Sequence, residues 1–417
     1  MVLLISAIIL NFTKAKYRTA ADVPIVSGTI NYSAADLNIV AITVDGVSVD
    51  TIPEGYYELT DESYCTIDGE LDDSIKLFYD REMQKLTVTP FTTKGTKCYL
   101  DFIKGDPAKE TLDKLDLVVT EGTLNFNNTS CSSGCEEQTV GLYEETTSKG
   151  TTYYFRGDVE NNYLEFAGFY WRIIRINEDG SIRIIFSGEK SVVDQVGKER
   201  VLANGYNDSS TNYMQIQTSK YNSSFGRSEN VGFRYFQGQQ RPNDTNSGIV
   251  STIKGVLDSW YNINLQTYDS MIINTSGFCN DREVANGFSW SSQPSGTIYY
   301  RAYERVKDNK IPSFDCSNIN DLYTTKIGLI TADEVAYAGG KYSTNNYSYY
   351  LFTGNEYWTI SPFDFLNGVA FVFNVSLNGI LNYSDVSNTS GVRPVINISS
   401  SITVTGSGTI NDPYVVQ

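Results

Sequence analysis

From Asn31 to about Gly105 the pattern is one of short strands, with apolar and polar residues alternating at period two in IKLFYD and KLTVTPF. Within this stretch, LNIVAITVDGVSVDTI sets Asp45-Gly46 between two β-branched runs, a dipeptide that favours a tight hairpin. IKLFYD, KLTVTPF and TKCYLDFI continue as short strands. The pattern changes over residues 106–138. There DPAKETLDKL predicts a short helix with Pro107 in its first turn, and TEGTLNFNNTSCSSGCEEQ, polar and turn-rich, reads as a linker. From about Val140 the strands lengthen. Asp179-Gly180 separates the apolar strands Trp171–Ile176 and Ile182–Phe186, and Asn378-Gly379 marks another tight hairpin inside AFVFNVSLNGILNYS. GVRPVINI and GTINDPYVV follow as closing strands. Two stretches have helical period. Ile249, Ile253, Val256 or Leu257, and Trp260 fall on one face of IVSTIKGVLDSWYNIN. Thr331-Ala-Asp-Glu334 is a capping box ahead of Val335, and Gly339-Gly340 ends that helix. Between them, NGYNDSSTNYM and GRSENVGFRYFQGQQ read as loops, and loops of such length in a compact domain are more often functional than accidental. No internal repeat of fixed period occurs.

These elements predict an α+β protein that is mainly β. Residues 19–105 read as a small β-sandwich of immunoglobulin-like type, residues 106–138 as a linker with a short helix, and residues 139–417 as one larger α+β domain. Met1–Leu10 (MVLLISAIIL) is apolar over about half the length of a bilayer span, and Lys14, Lys16 and Arg18 follow. Residues 1–18 therefore read as part of a signal-anchor, with a buried N-terminal strand as the alternative.

Composition narrows the chemistry. With 32 basic against 49 acidic residues the net charge is −17, which repels phosphate backbones and excludes nucleic acid as the expected partner. Membrane contact is expected only through the N-terminal anchor. The chain has no histidine, so the usual general base near neutral pH, the Ser/His and Cys/His nucleophile pairs and most zinc sites are missing. Carboxylates, Tyr, Lys or Cys would have to carry any catalysis, and neither a metal nor a cofactor is expected. Tyrosine is abundant, at 30 residues; it suits recognition surfaces and strands alike. The six cysteines are Cys65, Cys98, Cys131, Cys135, Cys279 and Cys316. Separated pairs in even number predict three disulfides in an oxidising compartment, with Cys65–Cys98 and Cys279–Cys316 each inside one domain and Cys131–Cys135 closing a small loop. Six free thiols in a cytosolic protein is the competing reading.

YYFRGDVENNYLEFAGFYWRIIRINEDGSIRII, FCNDRE, GLITADEVAYAGG, YWTISP, SGVRPVINI and GTINDPYVV occur in this order. Together they resemble a family of exported, largely uncharacterised proteins from Gram-positive gut bacteria, over about residues 139–417. The preceding β-domain with its KGTKCYLDF ending resembles the modules that commonly precede that domain. The YWTISP, hairpin and GVRPV ending is similar to C-type-lectin-like folds of the formylglycine-generating-enzyme and phage variable-protein kind. The resemblance implies an α+β domain whose irregular loops display a ligand surface. Departures limit it. The Glu-Pro-Asn, Gln-Pro-Asp and Trp-Asn-Asp signatures of calcium-dependent sugar binding are absent. Cys279 and Cys316 lie too far apart in sequence for the paired catalytic cysteines of the sulfatase-activating oxidase.

Loops around the last hairpin hold the candidate ligand surface: Trp358, Phe363, Phe365, Asn382, Tyr383, Asp385 and Asn388. Rings with amides and a carboxylate suit glycan or protein recognition by stacking and hydrogen bonding. The competing reading puts Trp358, Phe371 and Phe373 in the core, and leaves Phe363, Phe365 and Tyr383 open. Arg393 and Arg156 read as structural, Arg393 by pairing with a buried carboxylate. Asp281 and Glu283, with Asp333 and Glu334, form the carboxylate clusters relevant to hydrolysis, although helix capping explains Asp333 and Glu334. The expected function is an extracellular surface protein that binds a glycan or a host or microbial surface protein, in the manner of an adhesin. A carboxylate-dependent carbohydrate hydrolase, a structural envelope protein and a diversified receptor-binding protein are the alternatives.

Overall fold

A computed structural model describes residues 37–52, 56–80, 85–89, 95–122, 124, 126, 140–189, 214–241, 247–292 and 296–417. Expectations for residues 1–18, for Cys131 and Cys135, and for most of NGYNDSSTNYM lie outside the described residues. The chain divides into two units, Met1–Asp106 and Pro107–Gln417, and both are mainly β.

In the first unit β1 (Leu37–Val44) and β2 (Val47–Val49) form the hairpin that Asp45-Gly46 predicts. Asp45 and Gly46 have φ of 51° and 75°, the two left-handed residues that such a turn requires. Next come β3 (Tyr57–Leu59), β4 (Tyr64–Ile67), β5 (Glu70–Leu71), β6 (Lys76–Asp80), β7 (Lys85–Thr89) and β8 (Thr96–Lys104). β8 is the organising strand. It runs parallel to β1 and antiparallel to β3 and β4, and β5 extends the sheet beyond β4. Its residues Thr96, Cys98, Leu100 and Phe102 are buried at every second position, as a strand with one covered face requires. The β6–β7 hairpin adds Leu86 and Val88 to the core that holds Ile42, Val44, Leu100 and Phe102. Cys65 and Cys98 face each other across β4 and β8 and are disulfide-bonded. This bond joins neighbouring strands of one sheet, whereas the immunoglobulin pattern bridges two sheets.

The second unit begins earlier than the sequence pattern suggests. The helix α1 (Pro107–Lys114), expected inside a linker, buries Ala108 and Leu112 in the main core together with Leu115 and Leu117. Thr111 donates to the Gly180 carbonyl over 2.7 Å, and Tyr414 donates to the Leu115 carbonyl over 2.8 Å. Ala108, Leu112 and Leu115 recur at helical spacing, a short amphipathic signal that the flanking polar run masks.

Behind it lie β9 (Gly141–Thr147), β10 (Gly150–Arg156), β11 (Tyr163–Phe166), β12 (Phe169–Ile176) and β13 (Ile182–Glu189). All eight residues of β12 are buried, so its near-continuous apolar run marks a strand covered on both faces. The hairpin between β12 and β13 turns at Asp179-Gly180. The helix α2 (Thr252–Asn264) is capped by Ser251, whose hydroxyl accepts from the Lys254 N–H. It buries Ile253, Leu257 and Tyr261, with Val256 and Trp260 half-buried against the core. Ile249, placed on that face by periodicity, is instead exposed in a short strand before the cap. The next elements are β14 (Thr297–Tyr299), α3 (Ala332–Ala338), β15 (Lys341–Tyr342), β16 (Tyr357–Leu366), β17 (Val369–Val375), β18 (Ile380–Asp385) and β19 (Val395–Ile398). β11, β12, β13 and β19 belong to a nine-stranded sheet; β14 to β18, without α3, belong to a seven-stranded one. One continuous apolar core includes residues of both.

The β17–β18 hairpin turns at Asn378-Gly379, as expected. Gly379 has φ of 68°, and a Cβ there would lie 1.8 Å from the Asn346 carbonyl oxygen. Gly379→Ala is therefore expected to lower unfolding stability by about 2 kcal/mol, from left-handed strain plus a backbone clash. Chemical denaturation followed by tryptophan fluorescence checks this.

Candidate functional site

The site is built on the middle of the seven-stranded sheet. Tyr299, Asp364, Phe371 and Asp385 occupy one cross-strand row over β14, β16, β17 and β18, and directly paired residues share a face. Tyr383 lies opposite Phe373, two residues from Asp385, and so faces the same way. β16 has an irregularity between Pro362 and Asp364, and Phe363 is the extra residue there. Proline cannot donate to the ladder, so a bulge beside it follows. Through this bulge Phe363 joins the row's face and stacks flat on Tyr383, with centroids 3.9 Å apart and planes at 6°. Tyr342 lies nearly parallel to Phe363 at 6.0 Å, and Phe371 meets Tyr383 edge-on at 5.7 Å. Tyr303 packs against Tyr299 at 4.1 Å with its plane tilted by 33° and meets Phe363 edge-on. Tyr383 is 39 % exposed, Phe288 extends the rings at the rim, and Tyr299, Tyr342 and Phe371 are half-buried. The result is a fixed aromatic platform with Tyr383 exposed on it and Phe288 exposed at its rim.

Polar groups sit in and around it. Tyr303 and Lys307 come from a helical turn, Arg301–Tyr303, that widens into a π-helix over Glu304–Asn309; such widenings concentrate at functional places. Lys307 donates to the Tyr303 hydroxyl, and its ammonium lies 4.3 Å from the Tyr303 ring centroid and 5.6 Å from that of Tyr342. Asp364 is only 3 % exposed, and its Oδ1 has no hydrogen-bond partner among the described residues. Burial pushes its carboxyl up to about 7, partly opposed by the positive charge of Lys307. A buried acid with an unmet acceptor is costly and commonly marks a working site.

The seven residues expected to form a loop surface are split by the sheet. Tyr383 and Asp385 share the platform, Phe363 is its buried support, and Asn388 is exposed at the turn beyond β18, donating to Ser384. Three positions need correction. Trp358 is fully buried on the other face, where its indole donates to the Ser219 carbonyl and its ring meets Tyr221. Phe365 is fully buried one residue past Asp364 and faces away from the row. Asn382 pairs with buried Asn374 and points to the face opposite Tyr383. Trp358, Phe363 and Phe365 were expected in loops and instead lie inside β16. Asp364, Tyr299, Tyr303, Tyr342 and Lys307 were missed. Pro362 inside an otherwise apolar strand was the available signal for the bulge.

Arg393 is buried, but among the described residues it pairs with no carboxylate. Its Nε and Nη2 donate to the Phe186 carbonyl, its Nη1 to the Leu351 carbonyl, and it covers the Tyr357 ring at 4.8 Å. Arg156 donates to the Ala336 and Tyr337 carbonyls at the end of α3, where a cation suits the helix C-terminus.

The carboxylates near Cys279 form a second polar centre. Arg305 holds Asp333 with two 2.8 Å bonds and Asp281 with one of 2.7 Å. Glu334 closes the capping box with Thr331 and lies 2.6 Å from Arg183 Nε, close but not aligned as a hydrogen bond. These groups and the Cys279–Cys316 disulfide enclose a cavity of about 40 Å³, room for a water molecule or two. Most of these charges are paired with one another, although Asp281 Oδ1 has no hydrogen-bond partner among the described residues, and ion pairing and capping account for the cluster. Among the described residues no group of three or more His, Cys, Asp or Glu is placed to hold a metal ion, and no helix is long and apolar enough to cross a membrane. Comparison with protein-family models, with curated proteins and with solved structures returns no match for this chain.

Proposed function

We propose that this is an exported bacterial surface protein whose second unit binds a carbohydrate on the platform around Tyr383. The observation that carries this reading is the Tyr383 ring: exposed, yet locked flat on Phe363. A preset ring stacks on the apolar face of a sugar without losing rotamer freedom on binding, and Asp385, on the same face of the sheet, supplies a polar group beside it. Two disulfides, Cys65–Cys98 and Cys279–Cys316, support an oxidising compartment. We read the first unit as an immunoglobulin-like spacer, the second as a lectin-like head, and residues 1–18 as part of a signal-anchor. The ordered motifs of the second unit, which we read as resembling exported proteins of Gram-positive gut bacteria, fit the same reading.

A glycan array probed with the full chain tests it. Wild type is expected to retain defined glycans, and Tyr383→Ala to weaken the strongest of them about tenfold, the loss of one stacking contact. Unchanged retention by the variant, or saturable binding only to matrix proteins, would overturn the carbohydrate reading.

One observation favours a hydrolase as the second reading. Asp364 and Asp385 share the cross-strand row with Phe371 between them, so two carboxyl side chains stand on one face of the sheet, the residue types a glycosidase uses in pairs. Asp364, with its carboxyl pushed up to about 7, would be the acid. Release of reducing ends from an array glycan, abolished in Asp364→Asn, would replace binding by turnover.

A further inference from the structure

The first unit holds a groove of about 600 Å³ between its main sheet and the β6 strand. It is independent of the platform and lies in the unit read above as a spacer. Three of its walls are apolar and open to solvent: Phe78 is 64 % exposed, Leu71 60 %, and Tyr64 42 %. Tyr64 is held in place by stacking on Tyr99, with centroids 4.8 Å apart. Large apolar side chains left outside a core beside a groove mark contact surfaces. The charges around them are one-sided. Among the described residues, Glu58, Asp61, Asp72 and Asp73 line the groove with Lys76 as the one cation, four negative groups against one positive. Lys76 is turned onto the Asp73 carbonyl, and Asp72 accepts from both the N–H and the hydroxyl of Ser74. The backbone completes the picture. β6 pairs only with β7, and β5 is the last strand of its sheet, so among the described residues each has an edge without a partner strand. An unpaired edge presents N–H and C=O groups at strand spacing, and natural proteins usually shield it.

We infer that this groove is a docking site for an extended, basic peptide segment of a partner protein, added as a strand along the open edge of β6. Each property of the occupant follows from one of the groove. The free edge takes an extended backbone, because main-chain hydrogen bonds give affinity in strand addition. Phe78, Leu71 and Tyr64 take apolar side chains at alternate positions, since every second residue of a strand points the same way. The excess of three negative charges takes Lys or Arg between them and repels acidic peptides and acidic glycans alike. β6 spans five residues, so a segment of about five to eight residues covers it.

Panning a displayed library of random octapeptides against the full chain tests the proposal. Phe78→Ser serves as counter-selection; this side chain is mostly in solvent, and circular dichroism confirms that the variant folds. Enriched peptides are expected to be basic, with apolar residues at alternate positions. A synthetic copy of the most enriched peptide is expected to bind wild type at least about tenfold more tightly than it binds either Phe78→Ser or the charge-reversed Asp61→Lys/Asp73→Lys. Its affinity should fall as salt rises from about 50 to about 500 mM. Peptides that are neutral or acidic, absence of enrichment over the uncoated support, or equal affinity for the Phe78→Ser chain would each overturn it. Tyr383→Ala is expected to leave peptide binding unchanged, and a loss there would place the peptide on the second unit and sink the inference.

Discussion

Glu334→Ala is expected to remove about 3–5 kcal/mol from the unfolding free energy of the second unit, the size seen when one member of a buried ion network is deleted. Glu334 is 3 % exposed and sits between Arg183 and Arg175, with its Oε1 2.6 Å and 3.4 Å from their Nε atoms. Its Oε2 accepts from the Thr331 N–H over 2.9 Å. Burial alone would raise the Glu334 carboxyl, but the two guanidinium groups and the Thr331 N–H hold it below its ordinary value. Alanine removes the anion and leaves two buried cations facing each other, and it strips the capping box from α3 as well. Glu334→Gln restores the shape and the cap but not the charge, so it should fall between wild type and alanine. Urea unfolding at neutral pH separates the three proteins. Equal midpoints for wild type and Glu334→Ala would show that the network contributes nothing.

At Asp364 the contribution to the stability-versus-pH curve should have the reverse of the usual carboxylate sign. The carboxyl of Asp364 lies near 3.8 in the unfolded chain and is pushed up to about 7 in the folded one by burial. Below the lower value both states are protonated and the group costs nothing. As pH rises from about 4 to about 7 the unfolded state loses its proton first, so the fold loses stability, and above about 7 the full penalty is present. Asp364→Asn keeps the shape without the charge. It is therefore expected to match wild type near pH 4 and to exceed it by about 2–4 kcal/mol at pH 8. Thermal unfolding of both proteins at the two pH values reads this directly. A variant less stable than wild type at pH 8 would mean that the ionised group finds a partner in solution. Stability gained on removing a buried charge, together with weaker ligand retention, is the pattern of a site kept at the fold's expense.

Much of the scaffold could be read along the chain. Asp45-Gly46, Asp179-Gly180 and Asn378-Gly379 each turn a hairpin, because the left-handed backbone that these turns need is a local property of the residues that occupy them. The capping box at Thr331 and Glu334 formed for the same reason. The two described disulfides join the cysteines that share a unit. Local chemistry also has a limit, which α1 shows. Its sequence predicted a helix with a short apolar stripe, yet nothing within residues 107–114 identifies the core that Ala108 and Leu112 join, whose other residues lie far along the chain.

The site divides along the same line. Sequence alone determined that rings and polar groups cluster over residues 355–390, and that Tyr383 is among them. Only the tertiary structure decided which of them reach solvent. A strand alternates its faces, so one extra residue in β16 carries Phe363 and Asp364 onto the face with Tyr383 and leaves Trp358 and Phe365 on the other. Tyr299, Tyr303, Tyr342 and Lys307 arrive from strands and a helical turn distant in sequence. Turns and caps are fixed by neighbours a few bonds away, which the sequence displays. Face, burial and the rise of a carboxyl toward neutrality depend on what packs across the sheet, and that exists only once the chain has folded.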